Sequence, residues 1–377
     1  MNILILSGGI PSIKYPMHGI FEFDQAKTLV KAGCRVAFTV VDIRSIRRWR
    51  KWGVDRYEHD GVSVFRINIP GGRLPRSVQN RLIKFGLRTL YPLIEKEFGK
   101  PDVIHSHFTS LGYAAACMKE RLCAPLVVTE HSSEMLKVPL NKKLHSMAQK
   151  AYSTADVVVA VSPALAAVIK TYFGITPEYI PNVVDTSLFF FNPGPRATIT
   201  DCCFISVGGL IESKRLNLLI EAFARAFNGN PDVSLVIFGE GPERRRLERM
   251  IRDLGQEDRI TLMGAQPRSV IAKKMQSCRC FVLPSHHETF GVVYIEAMAS
   301  GLPIIATRCG GPEHFIHEEN GLLIPVDDVQ ALIGAMRYMY LNFSRYDSNR
   351  ISGEAKKLFS PESVGKQLME IYKELIS

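Results

Sequence analysis

The chain has 377 residues, of which 46% are hydrophobic and 22% are charged, and this composition is typical of a soluble globular protein. The length exceeds what one hydrophobic core usually organises, so we expect two domains. The formal net charge is +10, and no apolar run reaches the length of a membrane-spanning helix. The first apolar run, Ile3 to Leu6, follows no basic segment, which argues against a signal peptide and predicts a cytoplasmic protein.

The first half of the chain alternates between short apolar runs and amphipathic helical patterns. The predicted strands are Ile3–Ser7, Arg35–Val41, Val62–Asn68, Asp102–His107, Leu126–Thr129, Val157–Val161 and Tyr179–Ile180. The predicted helices are Phe21–Ala32 and Arg81–Phe98. Alternation of this kind predicts an α/β domain with a doubly wound parallel sheet, in which ligands bind at the carboxyl ends of the strands.

The segment Phe189–Pro195 interrupts this alternation with proline and glycine, and we interpret it as a linker. A second series follows, with strands at Phe204–Val207, Leu235–Phe238, Ile260–Met263 and Cys280–Leu283, and helices at Leu216–Phe227, Glu243–Leu254, Ser269–Ser277 and Val292–Ser300. The chain is therefore predicted to hold one domain over residues 1–190 and another over residues 196–360. A last helix, Pro361–Ile376, can cross back onto the first domain, although the sequence does not require it.

Four glycine-bearing turns follow predicted strands. They are Ser7–Gly9, Gly208–Gly209, Gly239–Pro242 and Gly310–Glu313, the last of which follows the predicted strand Ile304–Thr307. None matches G-x-G-x-x-G or the phosphate-binding P-loop, so a redox dinucleotide enzyme and a P-loop nucleotidase both lose support. Together the four turns predict a ligand-binding cleft.

Cysteine and histidine spacing predicts no metal site. The eight cysteines lie in apolar segments without C-x-x-C pairs, as expected of reduced, mostly buried cysteines in the cytosol. His105 and His107 alternate at the end of one strand, and His286 and His287 are adjacent, but neither pair has a further ligand at metal-binding spacing. A structural or ligand-contacting role is the better interpretation.

The segment Ser285–Ala297 contains two glutamates, Glu288 and Glu296, on either side of a predicted helix start at Phe290–Gly291. Backbone amides at a helix N-terminus lack intrahelical partners and favour a phosphate there. If the segment stood alone, two solvated acids would be the better explanation of the spacing. Beside the other strand-end motifs, a ligand site is the stronger interpretation.

Basic residues are concentrated in the first half of the chain. Arg44–Trp52 contains five of them together with both tryptophans, and Arg81, Lys84 and Arg88 share one side of a predicted helix. Basic residues with interfacial aromatics fit an anionic membrane surface, so we expect Arg44–Trp52 to contact a membrane or an anionic acceptor. Binding of nucleic acid phosphates and a solvated loop are the alternatives.

The order and spacing of these motifs resemble the retaining glycosyltransferases of the GT-B fold, in particular glycosyltransferase family 4. The matching segments are His18–Ile20, Asp102–His107, Thr129–His131, Ile180–Asp185, Val207–Lys214, Phe238–Pro242 and Glu288–Glu296. The resemblance implies two Rossmann-like domains facing across a cleft. It also implies transfer of a hexose from UDP-hexose or GDP-hexose to a glycan or lipid-linked acceptor, with retained configuration, no metal and no other cofactor, in polysaccharide or glycolipid synthesis.

The resemblance implies a donor site in the second domain. Glu288 would contact hydroxyls of the donor sugar, with Thr289 beside it, and the amides around Phe290–Gly291 would hold the diphosphate. Glu296 would bind the ribose hydroxyls, and Lys214 would neutralise the diphosphate. A lysine and fixed backbone dipoles can stabilise the charge that develops on such a leaving group without a metal ion.

Further positions carry over from the same resemblance. Gly239 belongs to the donor site, Gly19 would let a first-domain loop approach the diphosphate, and His131 would face the reacting sugar. One departure stands out, because the family commonly has arginine where this chain has Gly209. Arg215, next to Lys214, would point in a different direction, so a cationic contact is missing or comes from elsewhere.

Two other function classes remain open from the sequence. A nucleotide-sugar epimerase can share the fold and would convert the donor without an acceptor, using acid and base carboxylates around the sugar. A membrane-binding or nucleic-acid-binding module would rely on the basic first half, but it would leave the second-domain motifs without a role. We therefore expect a peripheral, cytoplasmic glycosyltransferase with no nucleic acid partner.

Overall fold

We describe the protein from a computed structural model that covers residues 1–12, 17–46, 51–72, 74–137, 139–193 and 202–377. The chain forms two compact units. The first unit contains Met1–Val183 and Pro361–Ser377, and the second unit contains Val184–Ser360. Residues 194 and 195 of the predicted linker and residues 47–50 of the basic segment Arg44–Trp52 lie outside the described residues.

The first unit is built on an eight-stranded sheet. Its strands are β1 (Asn2–Ser7), β2 (Arg35–Arg44), β3 (Gly53–His59), β4 (Val62–Pro70), β5 (Val103–His107), β6 (Leu126–Glu130), β7 (Val157–Ala160) and β8 (Glu178–Tyr179). Their order is β3-β4-β2-β1-β5-β6-β7-β8, and every pair is parallel except β3 with β4. The strand order reverses direction between β1 and β5, which is where ligands bind in sheets of this type.

Helices connect these strands on the first unit. They are α1 (Ile20–Lys31), α2 (Arg76–Glu97), α3 (Phe108–Ala116), α4 (Lys119–Leu122), α5 (Lys142–Thr154) and α6 (Pro163–Phe173). Local sequence explains several ends. Ser162 caps α6 through a hydrogen bond to the Leu165 amide, Pro163 occupies the first turn, and Gly174 ends the helix in a left-handed conformation.

The second unit is a six-stranded parallel sheet with helices between its strands. Its strands are β9 (Cys202–Val207), β10 (Val233–Phe238), β11 (Ile260–Gly264), β12 (Cys280–Leu283), β13 (Ile304–Thr307) and β14 (Gly321–Ile324). Its helices are α7 (Leu216–Ala226), α8 (Arg244–Asp253), α9 (Arg268–Ser277), α10 (Val292–Ala299), α11 (Val329–Asn342) and α12 (Ser348–Phe359). The order β11-β10-β9-β12-β13-β14 is that of a dinucleotide-binding Rossmann sheet, with its reversal between β9 and β12.

The last helix, α13 (Pro361–Ile376), belongs to the first unit. Its side chains Val364, Leu368 and Tyr372 are buried in the same hydrophobic core as Phe23 and Phe38. The two units divide between Val183 and Val184, whereas the sequence prediction ends the first domain at residue 190. The Val184 amide donates to the carbonyl of Phe359 at the end of α12, which attaches this stretch to the second unit.

The structure of the first unit differs from the sequence prediction at one strand and one helix. Strand β3 was not predicted, since almost all of its side chains are exposed and it carries little apolar signal. Helix α2 was predicted, but it begins at Arg76 and tolerates Pro92 within its length. Its inner face buries Leu87, Leu90 and Ile94, as its apolar stripe predicts.

Candidate functional site

The candidate donor site lies at the carboxyl ends of β9 and β12, the two strands at the reversal point of the second sheet. Lys214 ends a short 3-10 turn after β9, and its Nζ lies 2.5 Å from Glu288 Oε1 in the loop after β12. Ser285 Oγ donates to the same carboxylate oxygen at 2.8 Å. The fold thus brings together two residues that are separated by 74 positions in the sequence and were assigned to one site.

The backbone around Glu288 is held by neighbouring loops. The Glu288 amide donates to the carbonyl of Cys309, and the two loops form a parallel bridge between Glu288 and Gly310. The His286 amide donates to the carbonyl of Ser213 at 2.8 Å, which joins the loop after β12 to the turn that carries Lys214. The carboxylate of Glu288 is therefore placed by the scaffold and not by a mobile loop.

Helix α10 begins directly after this loop, with Gly291 as its N-cap residue. Within the described residues, the amides from Phe290 to Val293 donate to no protein group. The Phe290 ring is buried against Phe315 and Phe359, so it anchors the helix start while its backbone stays available. A helix start with unpaired amides next to a lysine is suited to bind a phosphate.

Glu296 lies inside α10 and is almost fully buried. Its Oε1 accepts hydrogen bonds from Arg268 Nε at 3.0 Å and Nη2 at 2.6 Å. The guanidinium of Arg268 also lies over the ring of Phe189, 5.2 Å from its centroid. Sequence reasoning missed Arg268, since nothing in its local sequence separates it from a surface arginine. The predicted contact between Glu296 and ribose hydroxyls stays a prediction, and any such contact would share the carboxylate with Arg268.

Gly239 allows two loops of the second unit to approach each other closely. It has a φ of +144°, and a Cβ at this position would overlap the carbonyl oxygen of Gly208. The Gly208 amide donates to Phe238, and the Gly239 amide donates to Gly264, each at 2.9 Å. Only glycine combines this backbone conformation with this approach. Gly239 therefore shapes the carboxyl ends of β9, β10 and β11 beside Lys214.

The position of Gly209 does not require glycine. A Cβ built there would find its nearest neighbours, the Glu240 carbonyl oxygen and an Ile211 side-chain carbon, at 3.9 Å, which is ordinary contact. Arg215 has instead a left-handed backbone with φ of +51°, and its guanidinium pairs with Asp327. Backbone geometry therefore does not explain why this chain has glycine, and not a cationic residue, at position 209.

In the first unit, His131 follows β6 and belongs to a row of buried histidines. His107 Nδ1 lies 2.9 Å from His131 Nε2, and the ring of His105 stacks on His107. Burial lowers the pKa of His131 to about 3 and that of His105 to about 3, and it holds the pKa of His107 well below its ordinary value. All three rings are neutral at physiological pH, so His131 can orient a hydroxyl but is a weak base.

Glu130 shapes the turn that presents His131. Its Oε1 accepts from the backbone amides of His131 and Ser132 at 2.9 and 2.8 Å. Its Oε2 accepts from the hydroxyl of Tyr152 at 2.7 Å and from the hydroxyl of Thr109. A fully buried carboxylate with this many donors is a positioning group for the loop after β6.

Gly19 is the N-cap residue of α1, and a Cβ there would overlap the carbonyl of Gly9, so the chain passes closely over the loop after β1. Glu22 in the first turn of α1 was missed by sequence reasoning, although an acid between two phenylalanines is a visible signal. Its carboxyl is buried and accepts a hydrogen bond from Ser7 Oγ at 3.2 Å. Burial raises the pKa of Glu22 to about 7.

A cavity of about 840 Å³ lies on the first unit next to this region. It is lined by Phe108, Ser132, Glu134, Lys137, Asn141 and Lys143, among others. The rings of Phe108 and His131 are 5.0 Å apart, so the cavity wall adjoins the histidine row. Its mixed polar and apolar lining is suited to a sugar-containing ligand.

The residues that the structure describes contain no group of three or more His, Cys, Asp or Glu side chains arranged to hold a metal ion. None of their helices has both the length and the apolar character needed to cross a membrane.

Two family models match the chain. The one described as Glycosyltransferase Family 4 matches residues 23–188, and the one described as Glycosyl transferases group 1 matches residues 198–357. The second match contains Lys214, Glu288 and Glu296. Together they place both units, apart from the chain ends, within glycosyltransferase families.

The chain is also similar to curated proteins. TuaC of Bacillus subtilis (strain 168), a protein assigned as a glycosyltransferase of teichuronic acid biosynthesis, is 28% identical over 373 residues, which is 93% of this chain and 90% of TuaC. Four other matches cover less of the relative's own length. The chain spans 20% of the length of one relative and 61% or 62% of three others.

Among solved structures, sucrose-phosphate synthase from Thermosynechococcus elongatus has a TM-score of 0.83 at 22% identity, covering 100% of this chain and 99% of that one. Anabaena Alr3699/HepE in complex with UDP-glucose has a TM-score of 0.75 at 19% identity, covering 100% of both chains. At these identities the similarity concerns the fold alone. It confirms the predicted fold class, two α/β domains of the GT-B type with parallel sheets.

Proposed function

The chain belongs to the group 1 glycosyltransferases, and from this membership we propose that it transfers a hexose from UDP-hexose or GDP-hexose to a glycan or lipid-linked acceptor. The observation that carries the donor site is the Lys214–Glu288 pair beside the unpartnered amides at the start of α10. The lysine and the amides meet the diphosphate, and the carboxylate of Glu288 accepts hydrogen bonds from sugar hydroxyls. The epimerase alternative gains no support from the family matches.

The reaction proceeds with retention and without a metal ion in this proposal, as the resemblance to family 4 implies. Negative charge grows on the diphosphate as the glycosidic bond breaks, and Lys214 and the α10 amides stabilise it. His131 is neutral and has a pKa of about 3, so it is a poor base for the acceptor hydroxyl. The oxygen of the leaving phosphate is the better proton acceptor, and His131 orients the sugar.

The acceptor binds in the cavity of the first unit beside His131. Lys137 and Lys143 line this cavity together with Asn141, so hydroxyls and anionic groups of a glycan would both find partners there. Relatives named for teichuronic acid biosynthesis and for transfer to D-inositol 3-phosphate support an acceptor of this kind. A role in cell-surface polysaccharide or glycolipid synthesis follows from such an acceptor.

A peripheral, cytoplasmic membrane location is also part of the proposal. The exposed face of α2 carries Phe85, which is 58% exposed, between Arg81 and Arg88, and Ile46 from the basic segment is 68% exposed. Exposed apolar side chains next to arginines favour an anionic lipid surface. Arg44 is expected to contribute less to lipid binding than the sequence predicts, because its guanidinium already pairs with Asp42.

A donor screen tests the proposed function. Purified protein is heated with UDP-, GDP- and ADP-hexoses, and the sugar that raises the unfolding temperature is then supplied with candidate acceptors. We expect one UDP- or GDP-hexose to stabilise the protein and the anomeric configuration of the product to match the donor. Glu296→Ala should weaken the stabilisation. Absence of any stabilisation, or an inverted product, would contradict the proposal.

A further inference from the structure

One aspartate connects three loops at the carboxyl edge of the second sheet. Arg215 Nε donates to Asp327 Oδ1 at 2.6 Å, and Asp327 Oδ2 lies 2.9 Å from His286 Nδ1. Arg215 follows β9, His286 follows β12, and Asp327 follows β14. A single carboxylate therefore contacts nitrogen-bearing side chains from two other loops.

Both partners of Asp327 are next to donor-site residues. Arg215 directly follows Lys214, and His286 lies two positions before Glu288. The loops of Lys214 and Glu288 are joined by the hydrogen bond from the His286 amide to the Ser213 carbonyl and by the Lys214–Glu288 ion pair itself. A diphosphate that binds Lys214 competes with that ion pair, and the contacts of Asp327 then act together with the His286–Ser213 hydrogen bond to hold the two loops in place.

The backbone at Arg215 supports a role for its side chain. Arg215 and Asp327 have φ values of +51° and +56°. Aspartate tolerates this left-handed region, whereas a long side chain such as arginine rarely adopts it. Strain of this kind persists where the surroundings impose it, and it is concentrated at binding sites. The ion pair with Asp327 is one of the contacts that hold Arg215 in this backbone conformation.

We propose that Asp327 is a positioning residue of the donor site, which holds Arg215 and His286 so that Lys214 and Glu288 meet the donor diphosphate in a preformed arrangement. This inference rests on the proposed function of that site. The ion pair is partly exposed, with 22% of the Arg215 side chain and 41% of the Asp327 side chain accessible. Exposed ion pairs add little to the free energy of unfolding. We therefore expect loss of the Arg215–Asp327 pair to weaken donor binding and to leave stability nearly unchanged.

The test measures binding of UDP or GDP, whichever the wild-type protein prefers, by calorimetry. Asp327→Ala and Arg215→Gly should each weaken binding about tenfold, and the double variant should lose no more than either single variant, because contacting residues act through one interaction. Arg215→Gly also removes the backbone strain, so its unfolding temperature should not fall. In donor turnover, KM should rise more than kcat falls.

Two further variants separate positioning from general damage. Asp327→Glu keeps the carboxylate and should recover part of the binding lost in Asp327→Ala. Glu319→Ala removes the exposed Arg350–Glu319 pair near the opposite end of β14 and should leave binding unchanged.

Three outcomes would overturn the proposal: unchanged binding in Asp327→Ala, additive losses in the double variant, or the same loss in Glu319→Ala. A wild-type protein that binds no nucleoside diphosphate would instead reject the proposed function of the site.

Discussion

Lys214 Nζ and Glu288 Oε1 are 2.5 Å apart, so the cation that is to bind the donor diphosphate is paired with the carboxylate that is to bind the donor sugar. About a fifth of the Lys214 side chain and a tenth of the Glu288 side chain are exposed, namely 20% and 11%. In such surroundings the carboxylate competes with a diphosphate for the lysine. The pair thus couples recognition of the two halves of the donor.

Glu288→Ala should separate these two functions. The variant loses its contacts with sugar hydroxyls, and we expect kcat/KM for the nucleotide sugar to fall about 100-fold. Binding of the free nucleoside diphosphate should become about fivefold tighter, because Lys214 no longer has an ion-pair partner. Calorimetry with the nucleoside diphosphate alone measures the second effect. A weaker complex in the variant would show that Glu288 does not compete for Lys214.

Gly209→Arg should strengthen donor binding. A Cβ atom fits at this position without a close contact, and the resemblance to family 4 implies a cation there. We expect the nucleoside diphosphate to bind about three- to tenfold more tightly, as a charge-assisted hydrogen bond would provide. Gly209→Gln is the matched variant without the charge and should show little gain. Equal affinities for the two variants would contradict an electrostatic origin.

Gly239→Ala should damage the donor site through sterics. Its Cβ would overlap the Gly208 carbonyl oxygen and its φ would be strained, so the loops after β9 and β10 must separate. We expect a loss of roughly 1–3 kcal/mol in the free energy of unfolding, together with weaker nucleotide binding. Gly208→Ala is the control, since a Cβ there would have its nearest neighbour at 3.7 Å. Urea titrations of both variants should differ, and equal losses would show that the close approach at Gly239 is unimportant.

Glu22→Gln should change how stability depends on pH. The pKa of the Glu22 carboxyl is about 7 in the folded protein against an ordinary value of 4.5. Well below pH 4.5 the Glu22 carboxyl is protonated in both the folded and the unfolded chain, so it does not lower the free energy of unfolding. As pH rises towards 7 the unfolded chain releases its proton first, so the wild-type protein loses stability, by about 3 kcal/mol once pH exceeds 7. The glutamine variant has no such loss.

Urea titrations of Glu22→Gln and wild type at pH 5 and pH 8 measure this difference. The advantage of the variant should be larger at pH 8. Glu58→Gln, on the exposed strand β3, serves as the control and should show no pH-dependent advantage. An advantage for Glu22→Gln that stays constant from pH 5 to pH 8 would show that Glu22 ionises normally.

The periodicity of the sequence predicted most of the elements that carry the site. The start of α10 after Gly291 and strand β12 before Pro284 follow from local signals, a glycine cap and a proline after an apolar run. Helix α13 was also visible, but its attachment to the first unit depends on Tyr372 and Leu368 reaching that core, which no local pattern specifies.

The long-range pairs could not be predicted. Glu296 with Arg268 and Arg215 with Asp327 join residues 28 and 112 positions apart, and either arginine is an ordinary surface residue by local pattern. The resemblance to family 4 located Lys214 and Glu288 in one site, but their direct pairing depends on the adjacency of β9 and β12. The order of the strands in the sheet brings these side chains together, and this order cannot be read from the composition or the local sequence pattern.

The most direct test of the account is release of nucleoside diphosphate from the preferred UDP- or GDP-hexose, measured with acceptor for the wild type, Lys214→Ala and the exposed control Lys273→Ala. The account predicts turnover in the wild type and in Lys273→Ala, and a fall in kcat/KM of about 100-fold or more in Lys214→Ala, because the leaving diphosphate loses its cation. Equal rates in Lys214→Ala and wild type would contradict the assignment of the donor site.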